Sequence, residues 1–336
     1  MQVISIDLRT NLSHGIGVRC RKEVSVSSEH YDEATTSVTE EHQQIPDTCG
    51  TDTDREEIRY VYILNRVLPA EVRVLAWCPV DPAFSARFSC TSRTYKYFFP
   101  RGNLDLSSML EAAGALIGEH DFRNLCKMDV GNGVVTYRRR ISAVDLTVGA
   151  EKRDSDDDDS GYDICELTIT GQAFLWHQIR CIVAILFLVG QGRENPNVVS
   201  ELLDVERHPR KPQYTMAAEF PLVLFDCAYD NDDIEWRHDT DSDADLVRSM
   251  QAVWTQHSVR AAVLRRMLSE FGGSARHQTE SLVPGSRSRT YKPLFERDLC
   301  ESLEDRIGHY AKKQKLGSTD SRDRNSAAET DSLDAV

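Results

Sequence analysis

Cations and aromatic rings are interleaved in residues 84–100, FSARFSCTSRTYKYFFP. Arg87 and Arg93 flank a Ser/Cys/Thr loop that runs into Tyr95, Tyr97 and Phe99. Guanidinium groups take phosphate oxygens and an aromatic ring stacks on an unstacked base, so this mixture suits an RNA site. Tyr97 and Phe99 are assigned to the core, whereas Tyr95, beside Arg93 at the mouth of the stretch, is the ring placed to meet a base. The other informative residue is Arg180, in FLWHQIRCIVAILFLVG. The turns after it are apolar almost all round, which describes a buried helix. A guanidinium entering such a helix keeps its proton and needs a carboxylate or carbonyl partner. An ion pair that only fixes packing is the common reason for such an arginine; the functional alternative is an arginine that holds a reactive carboxylate. His177 lies one turn earlier and is read as a satisfied polar histidine without a catalytic role. His120–Lys127 (HDFRNLCK) and Thr136–Ile141 (TYRRRI) add cations that a solvated charged face explains nearly as well.

The elements that must hold these residues follow from periodicity. Residues 3–8 (VISIDL) alternate apolar and polar, the pattern of a strand, and 72–80 and 93–99 read as strands too. Residues 58–68 suit a helix stopped near Pro69. Leu106, Met109, Leu110, Ala113, Leu116 and Ile117 share one helical stripe, with Asp105 or Ser107 as cap and Gly118 as stop. Strands recur at 137–148 and 162–170 around an Asp-rich hairpin tip. An apolar helix over 174–189, a short helix over 198–205 and a last strand over 220–229 complete the series. Mixed strands and helices without strict alternation predict an α+β fold.

The 336 residues are enough chain for one large domain or two, and 40% apolar with 28% charged residues marks a globular class. The longest apolar run, Cys181–Gly190, is ten residues, too short to span a membrane. Nine cysteines without a CxxC pair argue against a disulfide framework and against a zinc site, and so for a reducing compartment. The net charge of −14 is unevenly spread. Residues 23–57 hold 11 acidic and 1 basic side chains, 151–163 hold 7 and 2, 226–245 hold 9 and 1, and 317–336 hold 5 and 2. These segments read as solvated, disordered decoration with a net −26, which leaves the rest of the chain at +12, a balance suited to a phosphate backbone.

FSARFSCTSRTYKYFF, GEHDFRNLCK, GQAFLWHQIR and RKPQYTMAAEFPLVLFDC, in this order, resemble the TruA-type tRNA pseudouridine synthases. The resemblance is strongest to the eukaryotic branch acting at positions 38 and 39 of the anticodon arm. The stretch YKPLFERDLCESLEDRIGHYAKKQKL resembles that branch as well, so the likeness covers residues 3–226 and 291–316. It implies a cofactor-free and metal-free isomerisation. An aspartate attacks the target uridine, the glycosidic bond breaks, and the base is rejoined through C5. A tyrosine, here Tyr95, stacks on the flipped base and helps remove the C5 proton; an arginine, here Arg180, pairs with the aspartate. Arg87 and Arg93 fall on the substrate side. Flipping is required because the reacting atoms are inaccessible in a stacked stem.

The family's nucleophile belongs to a GRTDKGVSA-like motif just before a strand that resembles QVISIDLR, and no RTD triplet occurs in this chain. Asp7 lies inside that strand and does not match, so the nucleophilic Asp is expected to be absent from these residues, and with it the preceding strand, helix and strand. Arg180 is therefore expected to be buried without a close carboxylate partner. The implied architecture is two α+β subdomains sharing a largely antiparallel sheet, with an RNA cleft between them. Residues 1–100 form a shortened N-terminal subdomain, with 23–57 as insertion. Residues 101–230 form the catalytic subdomain, with 151–163 as an acidic loop. An acidic linker and helical insertion spans 231–290, a family-like segment 291–316 and a tail 317–336. The expected partner is tRNA at its anticodon stem-loop, with no membrane, a possible homodimer, and a location in the nucleus, the cytoplasm or both. The rival readings are a non-catalytic tRNA-binding protein and, last, a protein-interaction scaffold built on the acidic segments.

Overall fold

The computed structural model describes residues 2–12, 14–18, 56–134, 136–149, 160–230, 234–271 and 291–312. Its contacts separate two compact units, one of Met1–Val3, Cys90–Ala228 and Arg265–Val336, the other of Ile4–Ser89 and Tyr229–Leu264.

The first unit is built on five strands: β1 (Ser92–Pro100), β2 (Gly118–Asp121), β3 (Arg138–Val148), β4 (Ile164–Gly171) and β5 (Leu222–Ala228). They form one sheet in the order β2-β3-β4-β1-β5, every neighbouring pair antiparallel. Helices α2 (Leu106–Gly114), α3 (Gln178–Gly190) and α4 (Val198–Leu203) accompany it, with a further helical stretch over 303–312. This is the α+β fold that the pattern predicts, with the antiparallel sheet that the resemblance implies. Asp105 is the cap of α2, accepting from the amides of Ser107 (3.0 Å) and Ser108 (3.2 Å), the arrangement that satisfies orphan donors at a helix start. The helix ends at Gly114, not at Gly118, because the amides of Leu116 and Ile117 bond three residues back, tightening the last turn, and Gly118 at φ +114° opens β2. The helix expected from residue 174 starts only at Gln178: His177 sits in the left-handed region at φ 55°, which a helix cannot include. Ile182, Val183, Ile185 and Leu186 of α3 are fully buried against the sheet and α2, as its all-round apolarity requires.

The second unit holds helix α1 (Tyr60–Val67) and most of α5 (Thr240–Ser269), which belongs to it as far as Leu264. Tyr60 anchors α1, its ring edge-on to Trp77 at 4.7 Å and its hydroxyl donating to the Arg9 carbonyl at 2.8 Å. Arg59 clasps Asp239 with two hydrogen bonds of 2.8 and 3.1 Å.

Two expected strands are not formed. Residues 3–8 and 72–80 are described without strand structure, except for the single bridge of Trp77 to Arg237. A strand exists only through its ladder, and alternation by itself supplies no neighbour. Ile4, Ile6 and Leu8 consequently stay exposed, and Asp7 lies in an exposed irregular segment. The acidic segments are also less passive than their composition suggests. Glu57 accepts from the Thr10 hydroxyl (2.5 Å) and the Asn11 amide (3.1 Å). Gly161 and Asp163 accept from the amides of Gly102 (2.8 Å) and Arg101 (2.7 Å), and the 226–245 stretch contributes to β5 and α5. Residues 23–55, 151–159 and 317–336 lie outside the described residues.

Candidate RNA-modifying site

β1 is the central rail of the site. Tyr95, Tyr97 and Phe99 alternate onto one face; Tyr97 and Phe99 are only 2% and 3% exposed and belong to the core, as expected. Tyr95 is half-buried, its ring edge-on to Phe174 at 5.2 Å. The pairing of β1 with β5 shifts register between Thr94 and Tyr95, because Phe225 has no partner in the ladder. Such a bulge twists the strands locally and re-aims the side chains beside it. Burial pushes the Tyr95 phenol up, against a smaller downward pull from Arg93. Its hydroxyl therefore stays protonated at neutral pH and is available as a hydrogen-bond donor. Arg93 donates through Nη1 to the Gln172 carbonyl at 2.8 Å, at the far end of β4.

Arg180 stands in the first turn of α3, and its side chain is 16% exposed. Its Nε donates to the Ala217 carbonyl (2.7 Å), and the Ala217 amide donates back to the Arg180 carbonyl (3.1 Å), so the guanidinium is held by a strap of chain. Nη2 donates to Glu219 Oε2 at 3.0 Å. The expectation that Arg180 lacks a close carboxylate is thus wrong, though Glu219 is 77% exposed and the pair lies at the solvent edge. A carboxylate two residues beyond the Ala217 anchor reaches the guanidinium from the same strap, a placement that sequence spacing does not reveal. The strap connects Arg180 to the Tyr95 face, since the Tyr97 hydroxyl donates to the Ala218 carbonyl at 3.1 Å. Burial pushes the Tyr97 phenol up to about 12, although Arg180 pulls it down. Tyr95 and Arg180 thus share one unit, and Tyr97, two residues along β1 from Tyr95, reaches the Arg180 strap.

His177 precedes α3, stacked on Trp176 (centroids 4.8 Å apart, planes at 25°), with Nδ1 3.5 Å from Arg180 Nη1. Burial first, and then the charges of Arg180, Lys127 and Lys211, hold its imidazole below the usual histidine range. A neutral ring there accepts from the guanidinium, which fits the satisfied histidine expected.

Arg87 belongs to the other unit and lies over the Phe88 ring at 5.3 Å. Of the added cations, Arg123 pairs with Asp121 (2.7 Å) and Arg138 with Glu119 (3.0 Å), so part of that basic face is tied up locally. Lys127 instead lies over the Trp176 ring at 4.3 Å.

Lys211 escaped the sequence reading. It is buried, with Nζ donating to the Cys126 carbonyl (2.8 Å) and lying 4.3 Å from the Tyr214 ring centroid. Its neighbours are clamped by the C-terminal stretch. The Cys300 amide donates to the Lys211 carbonyl (2.8 Å), the Gln213 amide to the Asp298 carbonyl (2.9 Å), and Glu194 takes the Leu294 amide (2.7 Å) and the Tyr291 hydroxyl. The family-like segment near residue 291 thereby packs against residues 211–213, just before the Arg180 strap, and against Glu194. No periodicity announces a buried lysine in RKPQY. Among the described residues no three His, Cys, Asp or Glu side chains converge as metal ligands, and no helix is long and apolar enough to cross a membrane.

Comparison with known proteins bears on this arrangement directly. A family model described as tRNA pseudouridine synthase matches residues 112–230, which carry Arg180 and its strap. The chain is 41% identical to a human tRNA pseudouridine(38/39) synthase over 94% of its own length and 65% of the relative's. It is 37% identical to a probable tRNA pseudouridine synthase of Caenorhabditis elegans, covering 83% of this chain and 70% of the relative. An archaeal relative, tRNA pseudouridine synthase A of Methanothrix thermoacetophila, is 30% identical over 64% of this chain and 72% of its own. The chain thus spans just under two thirds of the human relative. With the Arg180 strap inside the stretch that the family model matches, and with relatives 41% and 37% identical over most of its length, this chain belongs to the TruA-type tRNA pseudouridine synthase family.

Proposed function

We propose that the protein isomerises uridine to pseudouridine at positions 38 and 39 of the tRNA anticodon arm. Tyr95 stacks on the flipped base and Arg180 holds the nucleophilic carboxylate, which comes from a stretch outside these 336 residues. The observation that supports this most is the strap: Arg180 is fixed through Nε to the Ala217 carbonyl, while its Nη2 faces only an exposed carboxylate. An exposed glutamate can leave at little cost, so that edge of the guanidinium can take an incoming aspartate without leaving a buried charge unpaired. A carboxylate held charged in this way is the nucleophile the reaction needs. Atoms balance within the substrate: the bond from C1′ to N1 breaks, a bond from C1′ to C5 forms, and the C5 proton leaves as N1 gains one. Arg93 and Arg87 contact the tRNA backbone. The protein acts as a homodimer in the nucleus, the cytoplasm or both.

The test compares residues 1–336 with a version extended upstream through an RTD-type motif, each assayed for pseudouridine at positions 38 and 39. The extended protein is expected to modify both positions, and Tyr95→Ala or Arg180→Ala in it to lose at least a hundredfold in rate. Modification elsewhere in the tRNA, or none at all, overturns the assignment. Equal rates for the two versions would put the nucleophile inside this chain and make Asp7 the first residue to replace.

A further inference from the structure

Between β4 and α3 the chain makes one short turn, residues 172–177, and that turn touches both halves of the site. Phe174 meets Tyr95 edge-on at 5.2 Å, and His177 Nδ1 lies 3.5 Å from Arg180 Nη1. Trp176 comes between these two contacts in the chain, and it is 47% exposed.

The backbone is bent to hold that indole in place. Among the described residues His177 is the one non-glycine with positive φ, at 55°. Such a conformation persists where its surroundings over-determine it, and it gathers at functional sites. Here the Leu175 amide donates to Gln178 Oε1 (2.8 Å), the Gln178 amide to the Leu175 carbonyl (3.1 Å) and the Lys127 amide to the Trp176 carbonyl (2.9 Å). Successive residues of a helix point apart, whereas this bend stacks the His177 ring on Trp176, with centroids 4.8 Å apart. Lys127 is exposed, with Nζ 4.3 Å from the Trp176 ring centroid. Unlike Arg123 and Arg138, it spends its charge on a ring and not on a carboxylate. A cation over an exposed ring is held more weakly than a base stacked on one. An arriving base therefore displaces the ammonium, which can then meet a phosphate.

We infer that Trp176 and Lys127 form a second nucleotide subsite, in which the indole stacks on a base next to the flipped uridine and Lys127 takes the adjoining phosphate. Flipping one base removes a stacking partner from its neighbours. The indole, two contacts from the Arg180 guanidinium, is placed to replace that partner. Every base has a face to stack, so the subsite adds affinity and register without reading base identity. The inference rests on the isomerase reading above and adds to it a nucleotide that is bound without reacting.

The test titrates residues 1–336 against a labelled anticodon stem-loop whose only target uridine is at position 39, read by fluorescence anisotropy. Trp176→Ala is expected to weaken binding about tenfold and Trp176→Phe by less than about threefold, since a smaller ring still stacks. Lys127→Gln should make the log–log salt dependence shallower by about 0.7, the share of one phosphate on a single strand. Two further RNAs carry an abasic site on the 5′ or the 3′ side of the target. On one of them the parent should lose about the same tenfold and Trp176→Ala nothing more. Equal losses from Trp176→Ala on all three RNAs would mark a disturbed fold and overturn the stacking. An unchanged salt slope in Lys127→Gln removes the lysine from the subsite. A parent that binds while Trp176→Ala binds equally well overturns the subsite and leaves the isomerase reading standing; a parent that binds no stem-loop overturns both.

Discussion

The hydrogen bonds around Arg180 are unequal in weight, and that inequality is measurable. The Nε bond to the Ala217 carbonyl is short and sheltered, whereas the Glu219 pair is at the solvent edge, where such pairs contribute about 0–1 kcal/mol. Glu219→Gln should therefore move unfolding stability by less than about 1 kcal/mol. Arg180→Met, which leaves the Ala217 carbonyl without its donor, should cost about 1–3 kcal/mol in urea unfolding. Equal losses for the two would show that the carboxylate, not the strap, fixes the guanidinium. Tyr97 offers a second reading of the same neighbourhood. Its phenol titrates at about 12 in the folded chain against an ordinary value near 10. Above pH 10 the unfolded chain releases this proton while the folded chain keeps it, so stability falls as pH rises from 10 towards 12. Between pH 9 and 11 the Tyr97→Phe variant should lose about 1 kcal/mol less than the parent, since one unit of difference is worth about 1.4 kcal/mol.

At the scale of elements, α2 and the end of α3 approach each other closely. A Cβ on Gly190 would lie 2.6 Å from Met109 Sδ and 3.2 Å from Leu104 Cδ2. Met109 is 1% exposed and has little room to yield, so Gly190→Ala should destabilise by about 1–3 kcal/mol through overpacking. A paired Met109→Ala/Gly190→Ala variant that regains nothing in denaturant unfolding would refute that account. The helices and the strands β1, β3, β4 and β5 were legible because each carries its own signal: a buried stripe, a cap at Asp105, a run of alternating residues. What failed shares one cause. Residues 3–8 and 72–80 have strand patterns, yet a strand is completed by a neighbour that local pattern does not contain. The four-residue β2 is too short for any period to register, and the start of α3 turned on the left-handed backbone of His177. Tyr95 and Arg180 stand out by residue type and motif, and the structure sets both in one unit. Lys211, Glu219 and the clamp from Glu194 to Tyr291 were not legible, because they join residues distant in sequence through backbone atoms that have no letter.

For the whole molecule, the uneven charge leads to a prediction about tRNA. A basic body that neutralises phosphates releases counterions, so binding should weaken steeply with salt, by about one power of salt concentration per phosphate contact. The acidic segments should add nothing favourable to an anionic partner. The structure narrows which part of each can be removed harmlessly. Glu57 is bonded to Thr10, Asn11 and Tyr60, and Gly161 and Asp163 hold the turn at Arg101 and Gly102. Deletions should therefore stop at residues 23–54 and 151–158 to leave those contacts in place. In filter binding or fluorescence anisotropy across a salt series, either deletion is expected to leave tRNA affinity unchanged or to raise it most at low salt, where screening is weakest. If repulsion from the acidic segments is what is removed, the gain should vanish as the Debye length shrinks to about 3 Å near 1 M salt. A loss of affinity at every salt concentration would mean that one of these segments contacts the tRNA; in the second the place to look would be Lys152 and Arg153, whereas residues 23–54 hold no lysine or arginine.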